Sequence, residues 1–205
     1  MSNYPFVAVA GNIGVGKTTF TKIVSKHFGW EALYESVDDN PYLDDFYNDM
    51  ERWSFNLQIY FLQNRFAGQI KLNKVSFGII QDRTIYEDVE IFARNLYLMN
   101  FMSKRDWLTY RSLFTNMTRY LRKPDLIVYL KASTDTLISR IKNRSRDCES
   151  EISSEYLHSL NVSYEKWISS YPEEVFIVDT DNFNIFRNKR QLKSILEKID
   201  SAVSV

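Results

Sequence analysis

Gly11-Asn12-Ile13-Gly14-Val15-Gly16-Lys17-Thr18 fits G-x-x-x-x-G-K-[ST] at every defined position, and this stretch decides the fold. Upstream, Phe6-Val7-Ala8-Val9-Ala10 is an apolar run of strand length. Downstream, Thr19 to Phe28 places Phe20, Ile23, Val24 and Phe28 at helical spacing. Strand, glycine-rich turn and helix together make a phosphate-binding loop. Glycines let the backbone wrap around phosphate oxygens, and the amides and dipole at a helix start favour an anion there. Lys17 is placed to reach the β- and γ-phosphates of a nucleoside triphosphate, the Thr18 hydroxyl to ligate Mg²⁺, and Thr19 to complete the cradle.

Outward from the loop, short apolar strands alternate with longer helical stretches. Further strands are expected at Glu31–Tyr34, Val75–Gln81, Leu126–Leu130 and Val175–Val178. Helices are expected at Arg52–Lys74, Val89–Phe101, Lys104–Tyr120, Thr134–Asn143, Ser153–Ser169 and Lys189–Ala202. The long helix from Arg52 reads as amphipathic, with Phe55, Ile59, Leu62, Phe66 and Ile70 on one stripe. The pattern implies an α/β phosphate-loop sandwich of three layers. A five-stranded parallel sheet is covered by helices on both faces, with right-handed crossovers. No linker or repeat divides the 205 residues, so residues 1–205 read as one domain.

Bulk composition narrows the function. The formal net charge is +0, which offers no general attraction to nucleic acid or anionic membrane. No apolar run approaches the roughly 20 residues that span a bilayer, and Met1–Pro5 carries no secretion signal. A single cysteine, Cys148, forms no intrachain disulfide and fits a reducing cytoplasm. His27 and His158 stand apart, without a metal-ligating cluster, and read as ordinary helix residues.

Ligands of such sheets bind beyond the carboxyl ends of the strands. That rule brings Glu35, after the second strand, to the same rim as Asp82-Arg83 and Lys17. Two acids, an arginine, a lysine and a Mg²⁺ site are the parts of a phosphoryl-transfer centre. Arg140, Arg144 and Arg146 form a basic run that reads as an arginine-bearing lid over phosphates, spanning about residues 140–154. On the long helix, Gln58 and Arg65 are two turns apart on one face; with Asp88 they could read the polar edge of a flat heterocycle, with Phe92 stacking on it. On spacing alone, surface or structural pairing is the favoured reading of those residues.

The ordered set of motifs resembles the deoxyribonucleoside kinases, the group of deoxycytidine, deoxyguanosine and bacterial deoxyadenosine kinases. The likeness rests on the loop, Glu35, Asn40-Pro41-Tyr42-Leu43 with Phe46-Tyr47, Trp53-Ser54-Phe55-Asn56-Leu57-Gln58, Asp82-Arg83-Thr84 with Asp88, and the arginine run with Glu149. The resemblance implies transfer of the γ-phosphate of ATP, or another nucleoside triphosphate, to the 5′-hydroxyl of a 2′-deoxyribonucleoside in nucleotide salvage. It implies Glu35 as base at that hydroxyl, Asp82 near Mg²⁺, and Arg83 beside the hydroxyl. Tyr47 and Glu149 would bind the sugar 3′-hydroxyl, Gln58 would read the base, Phe92 would stack, and Arg65 with Asp88 would set base choice. It also implies a homodimer built from a helix bundle. Thr84 and Leu57 depart from the family's usual serine and phenylalanine, and Asp82 replaces the glutamate of many eukaryotic members. A purine deoxyribonucleoside is the expected acceptor, then deoxycytidine. A thymidylate-type monophosphate kinase and a nucleotide-dependent switch are the competing readings.

Overall fold

The computed structural model describes residues 4–34, 40–72, 76–144 and 152–204. Five strands, β1 (Phe6–Ala10), β2 (Glu31–Leu33), β3 (Ile79–Asp82), β4 (Leu126–Lys131) and β5 (Val175–Asp179), form one parallel sheet in the order β2-β3-β1-β4-β5. The central strand β1 is buried at all five residues, as expected for a strand covered on both faces. Its alternation sorts the core into two layers. Val7 and Val9 face the cluster that contains Phe20 and Val24 of α1 (Lys17–Phe28), Leu137 and Ile141 of α7 (Thr134–Arg144), and Ile195 and Ile199 of α9 (Lys189–Val203). Ala8 and Ala10 face the other cluster, with Leu57 and Leu62 of α3 (Met50–Leu72), Tyr110 of α6 (Lys104–Thr118), and Leu160 and Tyr164 of α8 (Ser154–Ser169). The expected three-layer sandwich is the observed one.

Four local expectations change. First, a short helix, α2 (Leu43–Asn48), precedes α3. Second, β3 pairs only from Ile79, where its amide donates to Pro5 O at 2.8 Å. Before it, Gly78 lies against Trp30 so closely that a Cβ would sit 2.3 Å from Cδ1 of the indole.

Third, the helix expected at Val89 starts earlier, as α4 (Ile85–Glu87), because Thr84 and Glu87 make a reciprocal capping box. It continues through a π-helical turn, Asp88–Ala93, into α5 (Arg94–Leu98). Fourth, the face of α3 turned inward is largely polar. Ser54, Gln58, Arg65 and Gln69 are buried there beside Leu57 and Leu62, while Phe55, Ile59 and Phe66 are half-buried and Ile70 is exposed.

Candidate active site

The order of the sheet reverses at β1, and a cavity of about 460 Å³ opens at the carboxyl ends of β1 and β3. One end of it is the phosphate loop. Gly11, Gly14 and Gly16 take positive φ values of 148°, 81° and 104°, and Gly16 caps α1 in the left-handed conformation. No acidic residue of α1 itself occupies its first turn, so its positive end faces the cavity. Lys17 curls over the loop, with Nζ donating to Asn12 O at 3.0 Å. Ile13, Gly14, Gly16, Lys17, Thr18 and Thr19 line the cavity. Gly11, Asn12 and Val15 support the loop from behind. Asn12 donates to Leu157 O at 2.9 Å and Asn161 Oδ1 at 2.8 Å on α8, and Val15 is buried in the core.

Beside the loop, Thr18 Oγ1 donates to Asp82 Oδ2 at 2.6 Å. Asp82 is buried, and its Oδ1 has no hydrogen-bond partner among the described residues. A buried hydroxyl–carboxylate pair with an unsatisfied oxygen beside a phosphate loop fits Mg²⁺, which commonly takes one or two protein ligands and fills its shell with phosphates and water.

Arg83 follows in a left-handed backbone conformation (φ 67°), which a non-glycine residue adopts only under local constraint. Its amide donates to Val9 O at 3.0 Å. Its guanidinium lies 4.2 Å from the Phe92 ring centroid, so Phe92 gives one face to the arginine.

The far end of the cavity is built by α3 and the π-helical turn. Arg65 Nε donates to Asp88 Oδ2 at 2.5 Å, with both side chains almost wholly enclosed. Gln58 is buried, and its Oε1 has no hydrogen-bond partner among the described residues. Tyr110 packs beneath this pair from α6. Burial first, then the charge of Asp88, pushes its phenol well above the ordinary value, so it stays protonated. Tyr47 on α2 and Arg144 at the end of α7 complete the lining.

Arg140 is placed differently from the lid expectation. Its Nη1 donates to Val15 O at 3.1 Å and Thr180 Oγ1 at 3.0 Å, and its Nη2 donates to Thr180 O. It braces the outside of the phosphate loop, beside a second hollow lined by Phe183 and Phe186. Glu35, Arg146 and Glu149, and with them residues 145–151 of the expected lid, lie outside the described residues.

The profile of the deoxynucleoside kinases matches residues 7–204. The chain belongs to that family. A deoxyadenosine/deoxycytidine kinase of Bacillus subtilis is 40% identical over 200 residues, covering 96% of this chain and 92% of that protein. A deoxyguanosine kinase of the same bacterium is 33% identical over 208 residues, covering 99% and 100%. The deoxyadenosine kinase of M. mycoides, solved with bound dATP, superposes with a TM-score of 0.85 at 34% identity, covering 96% of this chain and 100% of that one.

This deoxynucleoside kinase also uses residues the sequence did not single out. Phe61 of α3 and Tyr156 of α8 line the cavity, and nothing in their spacing separates them from core aromatics. Glu87 is wholly buried behind the loop and accepts from Gly11 N at 3.2 Å and Thr84 N at 2.8 Å. Its signal was present, since Thr84-Ile85-Tyr86-Glu87 has the S/T-x-x-E form of a capping box.

Proposed function

We propose that this kinase phosphorylates the 5′-hydroxyl of a purine 2′-deoxyribonucleoside, with deoxycytidine as a weaker acceptor and ATP or another nucleoside triphosphate as donor. The observation that carries the reading is one cavity with two differently equipped ends. Lys17, Thr18 and Asp82 suit a triphosphate with its cation, while Gln58, Arg65 and Asp88 suit a base edge. Arg65 only donates and ionised Asp88 only accepts, so with the Gln58 amide they match a base carrying a ring acceptor and an exocyclic amine. The named activities of the relatives point the same way. They are nucleoside kinases, which disfavours a monophosphate acceptor.

In this reading Thr18 and Asp82 hold Mg²⁺, which when bound neutralises charge on the donor phosphates. Asp82 accepts from Thr18 at the proposed cation site, and Glu35, the acid that the family resemblance assigns to the acceptor, takes the proton from the attacking hydroxyl in this reading. Lys17 and Arg83 balance charge on the moving phosphoryl oxygens. Arg144, with Arg146, shields them from water. Tyr47 and Glu149 hold the sugar 3′-hydroxyl.

The partly exposed stripe Phe55, Ile59, Phe66 and Ile70 on the flank of α3 supports a homodimer packed helix on helix. No helix among the described residues is long and apolar enough to cross a membrane, and with the lone cysteine this supports a cytoplasmic site of action. The test is consumption of ATP with each of the four deoxyribonucleosides and each monophosphate. Deoxyadenosine or deoxyguanosine should turn over best. Turnover confined to monophosphates would overturn the acceptor assignment.

A further inference from the structure

The reading above gives no task to the buried carboxylate of Glu87, yet its placement is specific. Glu87 is fully enclosed and does not line the cavity. A buried carboxylate is tolerated only when its lone pairs are satisfied. Here they are. Oε2 accepts from Thr84 N at 2.8 Å and Thr84 Oγ1 at 3.3 Å, and Oε1 faces Gly11 N at 3.2 Å and Tyr164 Oη at 2.8 Å.

Tyr164 sits at the centre of the arrangement. Its hydroxyl lies 2.9 Å from Gly11 O and accepts from Arg83 Nη1 at 3.4 Å. Burial first, then the charge of Glu87, pushes this phenol well above its ordinary value, so it remains a donor throughout the neutral range.

The N–H of Gly11 is thus held by Glu87, and the one Tyr164 proton lies within reach of both Gly11 O and Glu87 Oε1, so a single hydroxyl is shared between the loop carbonyl and the carboxylate. Gly11 cannot move away from them easily, because a Cβ there would already sit 2.6 Å from Leu130 O. The same pair touches Arg83 and its neighbour Thr84. The entry to the donor phosphate loop and the arginine beside the acceptor hydroxyl are thus tied through two buried residues from different elements, α4 and α8.

We propose that Glu87 and Tyr164 are positioning residues that hold the phosphate loop and the Arg83 guanidinium in one fixed relation, and that this relation sets the rate of phosphoryl transfer. Neither residue contacts the cavity, so nucleoside affinity is not their concern. Catalysis by positioning is sensitive to displacements of about 1 Å at the reacting groups, which is the scale on which loss of these bonds acts. The inference rests on the kinase reading of the cavity.

The test uses the full-length Tyr164→Phe, Glu87→Gln and double variants. Tyr164→Phe keeps the ring stacked on Tyr129 and removes only the hydroxyl. Glu87→Gln keeps the shape but turns one end of the group into a donor facing a donor. Each single variant should lose roughly 10-fold or more in kcat, with KM for the nucleoside within about twofold of the parent. The double variant should be no worse than about threefold below the weaker single, because one unit is lost once. A residue that serves stability alone would lower the melting temperature and the active fraction, with kcat per active site unchanged.

A Tyr164→Phe enzyme with parental kcat overturns the proposal even if Glu87→Gln fails to fold. A rise in nucleoside KM that accounts for the whole loss also overturns it, as do losses that multiply in the double variant. Parental enzyme inactive on every deoxyribonucleoside would instead refute the kinase reading, and this proposal with it.

Discussion

Asp88→Ala removes the carboxylate beside a guanidinium whose side chain is only 7% exposed and which also donates to Arg83 O, and the consequences can be worked from that burial. Breaking a buried ion pair from one side costs about 3–5 kcal/mol, because the remaining charge is left uncompensated. For a chain of this size each kcal/mol moves the melting temperature by roughly 2–4 °C, so the single variant should melt roughly 6–20 °C lower. Arg65→Met together with Asp88→Ala removes both charges and should recover most of that loss. The base preference should move with them. An unpaired buried polar group costs about 1–3 kcal/mol, or roughly 5- to 150-fold in kcat/KM. The parent should therefore discriminate against thymidine by at least about tenfold relative to deoxyadenosine or deoxyguanosine, since the thymine methyl meets a charged pair. The double variant should reverse the preference. Differential scanning fluorimetry and steady-state kinetics with four nucleosides give both readouts. A double variant as unstable as the two singles combined would show that the pair is not coupled. Thymidine as the parent's best acceptor would refute the assignment of this end of the cavity to the base, while leaving phosphoryl transfer intact.

Lys17→Ala should fold normally and lose at least about 100-fold in kcat, the scale of a removed preorganised charge contact; near-parental turnover would sink the role given to the loop. Asp82→Asn should lose activity and require more Mg²⁺ for half-maximal rate, whereas Glu35→Gln should lower kcat with Mg²⁺ dependence retained, and a Mg²⁺ titration of each that gives the reverse pattern would exchange their roles. Light scattering at micromolar concentration should give twice the chain's 24.3 kDa, and a mass of one chain would refute the homodimer.

The strands and the phosphate loop were legible because their signals are local. A buried parallel strand is a short apolar run, and Gly11 to Thr18 carries a fixed pattern of glycines, lysine and threonine. Asp82 and Arg83 were singled out through a topological rule, since one ends and the other follows a strand whose carboxyl end faces the cavity. Arg140 shows the limit of that reading. Its charge and its helical spacing from Arg144 were visible, but only tertiary packing shows it donating to Val15 O and Thr180. Tyr164 carried no usable signal, because its hydroxyl matters only through groups 77 and 153 positions away.

The long helix α3 makes the deeper point about faces. Periodicity finds an apolar stripe, but it does not say which side of the helix meets the rest of the chain. The inward face of α3 carries Gln58, Arg65 and Gln69 because it has to do more than fill space. Gln58 and Arg65 reach the cavity, and Gln69 donates to Arg122 O at 2.9 Å. Beside that polar face, Phe55, Ile59 and Phe66 are half-buried against the core and Ile70 is exposed, so the apolar stripe runs along the flank of α3. A half-buried stripe of that kind is costly to leave wet and is suited to a second helix of the same kind. The polar inward face and the apolar flank belong to one helix, so the wall of the proposed base site and the surface proposed for dimerisation share a single element. Substitutions along Phe55 and Phe66 should therefore reach nucleoside kinetics through the backbone of α3, without touching the ligand.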